Sequence, residues 1–520
     1  MSGRAFLGID VGSSSIKVAI TDIHGEILAA GSRRHRSRSP QPGWAEFDAE
    51  DVWRLIVVEL QELAASHTRL LSSVEGVGMS VFCPGLVALD REGRALTGVI
   101  AFSDRRSVED VVALAETLTA PTVFEVSGNR LMPGACSLTS MRWVQRARPD
   151  LYAQTYTFGH LNTYIGVRLT GAFGIDPSNA SYTGLFETGV WPETEYWRSD
   201  IVAAAGIDEE KLPPIVKSHE PLGKLNNHEM IDLGLRAGIP VAMGGGDTAC
   251  SALAVGAVRH NDLFESAGTS NVITFCSQEP EFDDRFMNRR HVIPGCWLYH
   301  GAMSSAGAAL LWLRDEILQV PSDEVFAGLV AEAASLGAGH PIPLFLPYMN
   351  GERTPVWDPH ATGVLFGLRL ESEREHLVRA VLEGCAFGTR QILEIGGSLI
   401  NRSVDSVVSI GGGSKVAEWT QLKADVTGRR FRVLDVHNAA VVGAAILAAV
   451  AAGERSLASR DASAPAISAV DDDPRVWRTF VPDDTDRHAY DARYKVYQRL
   501  YPALRELFPL LGHHDESKDQ

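Results

Sequence analysis

A chain of 520 residues is too long for one compact core and calls for two large domains. With 45% apolar and 22% charged residues it has the composition of a folded globular protein, not of a disordered one. Its formal net charge of -17 lacks the basic footprint with which nucleic-acid binders displace counterions, so no nucleic-acid partner is expected.

The first ten residues, MSGRAFLGID, have no long apolar region with a cleavage site and do not read as a secretory signal. From Ala5 to Ala30 apolar runs alternate with turns: FLGID, the turn VGSSS, IKVAITD, the turn IHG, and EILAAGS, which together predict a β-meander. The basic run Arg33-Arg34-His35-Arg36, with Arg38, reads as a solvated loop. After Trp44, EFDAEDVWRLIVVELQEL has helical periodicity, and VEGVGMSVFCPGLVALD returns to buried strands with a turn at Arg91-Glu92-Gly93. Strands and helices alternate to about residue 255, which is α/β organisation.

Near Asp262 a second strand-turn-strand, LFESAGTSNVITF, repeats the logic of the opening and points to a duplicated core. A helix is predicted from Ser304 to Ile317, then the Pro-rich segment FLPYMNGERTPVWDP, a long helix from Arg374 to Ile395, and a strand entering Gly411-Gly412-Gly413. The small-residue stretch 439–452 reads as a helix too short to cross a bilayer of about 30 Å, so no membrane role is expected. Residues 456–474, rich in Ser, Ala and Asp, read as a surface loop. The last helix, about Thr485 to Phe508, places Tyr490, Tyr494, Tyr497, Tyr501 and Leu504 on one face for packing. Six scattered cysteines without Cys-x-x-Cys spacing suit buried thiols in a reducing, cytoplasmic setting.

Four of these turns carry residues suited to phosphoryl transfer, which needs donors around nucleotide phosphates, a divalent metal, and a base beside the accepting hydroxyl. Asp10, at the end of a strand and before Gly12-Ser13-Ser14-Ser15, can hold Mg²⁺ through water while the turn cradles phosphate; an ordinary hairpin turn is the alternative. Lys17 can add a phosphate-facing charge or be a strand-exposed lysine. Gly244-Gly245-Gly246-Asp247-Thr248 lets the backbone approach a ligand closely and delivers one carboxylate, unless Asp247 is only a helix cap. Gly268-Thr269-Ser270 suits the other side of a triphosphate, and Gly411-Gly412-Gly413-Ser414 permits a flat purine or ribose against backbone.

In combination and order these segments resemble the FGGY carbohydrate kinases, over nearly the whole chain from Phe6 to Phe508. The most specific match is Gly363-Val-Leu-Phe-Gly367-Leu368, seven further residues, then His376-Leu377 and Ala380-Val-Leu-Glu383. The segments PGWAEFDAEDVW, SDRRS, GGGDTA, GTSNV, FLPYMNGERTPVWDP and GGGSK are also family-like. The resemblance implies an α/β, two-lobed actin-like ATPase fold of ribonuclease H-like type, with duplicated core domains at 1–255 and 256–520 and a central cleft. It implies ATP and Mg²⁺ as cofactors, Asp247 as catalytic base, and Asp10 with Asp247 at the metal. Gly12 to Ser15 with Lys17 and Gly268 to Ser270 become the phosphate sites, and Gly411 to Ser414 the adenosine site.

The acceptor is expected to be a small ketose or polyol, first of all a pentulose such as xylulose, bound by Phe82, Cys83, Pro84, Phe102, Asp104, Asp247 and Thr248. Two departures qualify this: Ser140 stands where the family's first signature has lysine, and Phe82-Cys83-Pro84-Gly85 replaces the Gln-Met-His-Gly of xylulokinases and the Gln-Arg-Glu of glycerol kinases. A glycerol, erythritol, other polyol or aldonate kinase, and an inactive sugar-sensing protein on the same fold, are therefore the alternatives. By resemblance a homodimer is expected.

Overall fold

The computed structural model describes residues 4–190, 196–400, 404–436, 438–457 and 475–511. The chain folds into two compact units, one of residues 1–260, 276–298 and 438–464, the other of 261–275, 299–437 and 465–520. Most of the predicted surface loop at 456–474 lies outside the described residues.

Each unit is built around a sheet of the same plan. In the first, the strand order is Ile27–Arg34, Ser15–Thr21, Ala5–Val11, Val74–Val81, Pro240–Ala242 and Pro221–Lys224. In the second it is Trp297–Met303, Asn271–Ser277, Leu263–Ala267, Ser406–Ile410, Arg430–Leu434 and Val476–Phe480. Both open with an antiparallel hairpin, Ala5–Val11 with Ser15–Thr21 and Leu263–Ala267 with Asn271–Ser277. In both, the first hairpin strand then runs parallel to its neighbour, the next pair is parallel again, and the last is antiparallel. The duplicated α/β core expected from the two hairpin sequences is thus present. Its carboxyl-terminal strand ends carry the glycine turns, the edge at which open α/β sheets bind ligands.

The Ala49–Ser72 helix follows from a cap and a stripe. The Asp48 side chain accepts from the amides of Glu50 and Asp51 at 3.0 and 3.1 Å, and Val52, Trp53, Ile56, Leu60 and Leu63 are buried at helical spacing. Glu46 and Phe47, predicted as helix, instead pair with Ile100 and Val99 as a short strand. The basic run also differs from expectation: Arg33 and Arg34 end the Ile27–Arg34 strand, and Arg33 donates to Glu59 at 2.6 Å.

The small-residue helix Ala439–Ala451 belongs to the first unit and explains three glycines there. Gly8 and Gly78 are partners across the parallel pair. A Cβ on Gly8 would meet the Val441 carbonyl oxygen at 2.1 Å, and one on Gly78 the Ala444 oxygen at 2.0 Å. Gly443 in turn comes within 2.0 Å, by the same measure, of the Cys250 oxygen in the helix Asp247–Val255. The run of Ala and Gly is therefore a close-packing surface, and no helix among the described residues is long and apolar enough to cross a membrane.

In the second unit the predicted helix at Ser304 begins only at Gly307 and passes from an α-helix to a π-helical turn over Leu313–Ile317. The preceding amides are already engaged: Ser304 N–H donates to Glu352 at 2.7 Å and Ala306 N–H to the Thr269 carbonyl at 3.1 Å. The long helix Arg374–Leu399 is capped by Glu373 and His376, and the helix Arg487–Leu504 lies against it through its tyrosines. Tyr490 accepts from Arg379 at 2.7 Å, and the rings of Tyr494 and Tyr497 pack on Phe387. That stripe is packing, as expected.

Candidate active site

Asp10 is the penultimate residue of the Ala5–Val11 strand and only 2% exposed. Its carboxylate accepts the Ser80 hydroxyl at 2.8 Å, and Lys17 Nζ stands 3.6 Å away. Burial pushes the carboxyl up to about 6, with the charge of Asp247 adding to the rise and Lys17 and Ser80 opposing it. Two carboxylates within electrostatic reach of one another, one of them desolvated, form a place where a cation is stabilising.

Asp247 reaches this place because of the three glycines before it. Gly245 and Gly246 run beside Ser80 and Val81 in parallel register, and Gly244, at φ +72°, has its α-carbon so near the Met79 carbonyl that a Cβ would sit 2.1 Å from that oxygen. The cap of the following helix is Gly246, so Asp247 occupies the first helical position and is not the capping residue. Its Oδ1 accepts from the Thr248 amide at 2.6 Å and the Thr248 hydroxyl at 3.2 Å. Its Oδ2 takes no hydrogen bond among the described residues, leaving one oxygen of a half-buried carboxylate open to accept a proton.

The first glycine turn is closed by Gly12 N–H on the Ser15 carbonyl at 3.0 Å and leaves Ser13 and Ser14 exposed. The second unit repeats it: Gly268 N–H donates to the Ser270 carbonyl at 2.9 Å, with Gly268 and Thr269 exposed. Gly411 directly follows the adjacent parallel strand Ser406–Ile410, at φ +96°, and a Cβ there would lie 2.5 Å from the Ala267 oxygen. Ser414 folds that turn over by donating to the Gly411 carbonyl at 2.7 Å, while Gly412 has open space where a side chain would be. The structure thus groups Asp10, Gly12 to Ser15, Lys17 and Asp247 in one unit, and Gly268 to Ser270 with Gly411 to Ser414 in the other.

The expected acceptor-binding residues are placed less uniformly. Phe82 is 1% exposed, its ring tilted against Phe47 and edge-on to that of the exposed Phe102. Asp104 is fully buried, and its carboxylate receives the Ala45 amide at 2.6 Å, the Arg106 amide at 2.8 Å and the Arg106 guanidinium at 2.8–3.0 Å. Arg106 continues to Glu46 at 2.7 Å and lies over the Trp44 ring. With these acceptor positions engaged, Asp104 anchors a loop.

Cys83, by contrast, touches a polar cluster that the sequence reading did not single out. Its sulfur lies 3.7 Å from His160 Nδ1. Burial holds the His160 imidazole down at about 4, so the ring is neutral near pH 7. Its Nδ1 then donates to Asn179 Oδ1 (3.2 Å) and its Nε2 accepts the Ser137 hydroxyl (2.8 Å). Asn179 donates onward to Asp176 at 2.6 Å. Arg289 joins from the segment 276–298: its Nε and Nη2 donate to the Ser178 carbonyl at 3.3 and 3.1 Å, and its guanidinium lies over the Tyr182 ring. The short interval Asp176 to Asn179 carries a strong cap signal, whereas nothing local marks Arg289.

Duplicated sheets of this order, ending in glycine turns and an Asp pair, define a phosphotransferase of the actin-like ATPase fold. The comparisons agree throughout the chain. Residues 5–254 match the N-terminal domain, and 263–452 the C-terminal domain, of the FGGY family of carbohydrate kinases. The xylulose kinase of Escherichia coli K12 is 30% identical, over 98% of this chain and all of that one. The autoinducer-2 kinase of Photorhabdus laumondii is 29% identical, over 87% of each. A crystal structure of xylulose kinase from Rhodospirillum rubrum superposes with a TM-score of 0.83 at 27% identity, covering 97% of this chain and 100% of that one. The chain belongs to the FGGY family of carbohydrate kinases and is an ATP:carbohydrate phosphotransferase with an alcohol group as acceptor.

Proposed function

We propose that the enzyme moves the γ-phosphoryl group of ATP to a hydroxyl of a small ketose or polyol, first of all a pentulose such as xylulose, with Asp247 as general base. The observation that carries the reading is the open Oδ2 of Asp247, held beside buried Asp10 by the Gly244–Gly246 approach. As the new O–P bond forms, the acceptor hydroxyl loses its proton to that oxygen, and ADP leaves. The name of the Escherichia coli relative supports xylulose, and the autoinducer-2 kinase shows that nearly the same identity accompanies a different acceptor.

The donor set fits magnesium, which takes few protein carboxylates and completes its shell with water and phosphate oxygens. Asp10 and Asp247 would hold it, and a cation there relieves the strain that burial and like charge place on Asp10. Bound magnesium supplies neutralisation of charge on the phosphate oxygens. Gly12 to Ser15, Lys17 and Gly268 to Ser270 serve in this reading as phosphate donors, and Gly411 to Ser414 as the adenosine surface. A cytoplasmic setting belongs to the same reading, supported by six unpaired cysteines, as does a homodimer.

Asp247→Asn tests the assignment. Acceptor-dependent ADP release is expected to fall by about 10²- to 10⁴-fold while ATP binding by calorimetry persists. Near-normal turnover in that variant would remove Asp247 from the mechanism.

A further inference from the structure

The turn from Gly12 to Ser15 is closed from one side only. Gly12 N–H donates to the Ser15 carbonyl at 3.0 Å, but the reciprocal bond of a two-residue hairpin, Ser15 N–H on the Gly12 carbonyl, is absent among the described residues. That carbonyl is held instead from the end of the neighbouring Ile27–Arg34 strand, where the half-buried His35 brings its Nε2 to 2.6 Å. A carbonyl only accepts, so Nε2 carries the proton and donates. The His35 amide donates to the Ser14 carbonyl at 3.1 Å, a ladder bond that continues the pairing of Ser15 with Arg34. One residue thus holds two carbonyls of the turn, and the side-chain bond to Gly12 is the part that only some residue types can make.

A trans peptide carries its C=O and its N–H on opposite sides. The peptides Gly12–Ser13 and Ser14–Ser15 are trans, so each carbonyl drawn toward His35 turns the following amide away from it. The amides of Ser13 and Ser15 therefore face the side opposite the imidazole, on a turn whose Ser13 and Ser14 are exposed. Without the imidazole, the Gly12 carbonyl is available to the Ser15 amide, and closing that bond withdraws a donor. The ring is itself fixed in place. Its centroid lies 4.8 Å from that of the buried Phe47, Phe47 packs on Phe82 at 5.1 Å, and the Phe82 amide donates at 2.8 Å to Val11, the residue before Gly12.

We propose that His35 is a positioning residue for the nucleotide, holding the Gly12–Ser15 turn open so that the Ser13 and Ser15 amides are presented to the polyphosphate of ATP. The inference rests on the reading that this turn is a phosphate site. Successive backbone N–H groups aimed into one space form an anion-binding concavity, and His35 sets where two of them point. Its own Nε2 proton is committed to Gly12, so it acts through the backbone and not on the phosphate. The contribution is accordingly specific to ligands that carry phosphate and absent for a nucleoside.

The test is calorimetric binding of ATP with magnesium, and of adenosine, to the full chain as wild type, His35→Phe, His35→Gln and Ser13→Pro. His35→Phe keeps a ring against Phe47 but offers no donor, and is expected to weaken ATP about tenfold while adenosine affinity stays within about twofold. His35→Gln, whose side-chain amide reaches about as far as Nε2, is expected to return ATP affinity to within about threefold of wild type. Ser13→Pro deletes one of the presented amides and should weaken ATP by a similar factor. If His35→Phe does not fold, His35→Asn, whose shorter amide falls short of Gly12, takes its place. ATP affinity unchanged in His35→Phe but weakened in Ser13→Pro overturns the inference and leaves the turn as a phosphate site. Equal losses for ATP and adenosine, or no recovery in His35→Gln, overturn it as well, since they mark a general structural role. ATP affinity unchanged in both His35→Phe and Ser13→Pro removes the phosphate role of the turn together with the inference.

Discussion

Gly78→Ala puts the closest packing of the first unit under direct load. The added methyl would begin 2.0 Å from the Ala444 carbonyl oxygen, where ordinary contact starts at 3.4 Å, so helix or strand has to retreat by about 1.4 Å. Neither can do so alone. The same helix is seated on Gly8 through Val441 and, through Gly443, on the helix that Asp247 begins. Overpacking a core typically costs about 1–3 kcal/mol, and a clash with backbone, which has no rotamer to change, belongs at the upper end. The variant is therefore expected to lose about 3 kcal/mol, read as a lower urea midpoint in chemical unfolding. Displacement near Asp10 and Asp247 should also lower turnover by about 10²-fold, since ångström-scale misplacement of reacting groups has that effect. Gly328→Ala is the matched control: that glycine is exposed within the Asp323–Ser335 helix, with nothing within 4 Å of its added methyl, and the change should stabilise by about 1 kcal/mol. A Gly78→Ala midpoint at or above that of wild type would refute the packing argument.

Arg106→Leu leaves Asp104 charged, buried and short of its main partner, and is expected to destabilise by about 3–5 kcal/mol in thermal or urea unfolding. Gly411→Ala, at a positive φ and against the Ala267 carbonyl, should raise KM for ATP by more than about tenfold in steady-state assays, with KM for the acceptor less affected. Glu352 is 4% exposed, and burial pushes its carboxyl from an ordinary 4.5 up to about 7, against the opposing amides of Ser304 and Arg353. The folded state therefore holds a proton that the unfolded state releases first. The stabilisation is complete below about 4.5 and is lost as pH rises from there through about 7, a change on the order of 3 kcal/mol. Unfolding of Glu352→Gln measured from pH 5 to 8 should show a correspondingly shallower pH dependence; an identical slope would remove Glu352 as its source.

Much of this was legible in the sequence because it is written locally. Asp10 and Gly12, or Ala267 and Gly268, appear as the last residues of an apolar run followed by glycine, and strand ends of that kind fold as they read. The helix stripe from Val52 to Leu63 is equally direct. What escaped depends on distant partners. The helix expected at Ser304 starts late because Glu352 and Thr269 have taken its amides. The partners that hold the Asp104 carboxylate, Ala45 and Arg106, are likewise not named by its motif alone. Arg289 lies past the point where the sequence divides, and only the return of residues 276–298 to the first unit carries it to Gly246.

The return of residues 438–457 to that same unit bears on how the protein is made. Until Ala439–Ala451 leaves the ribosome, the glycine face of the strands Ala5–Val11 and Val74–Val81 has nothing to cover it, although those strands were synthesised several hundred residues earlier. The first unit must wait, partly assembled, for nearly the whole chain. A gene fragment ending near residue 255 would express a sheet with one bare face, which makes it a natural client for chaperones rather than a self-standing domain.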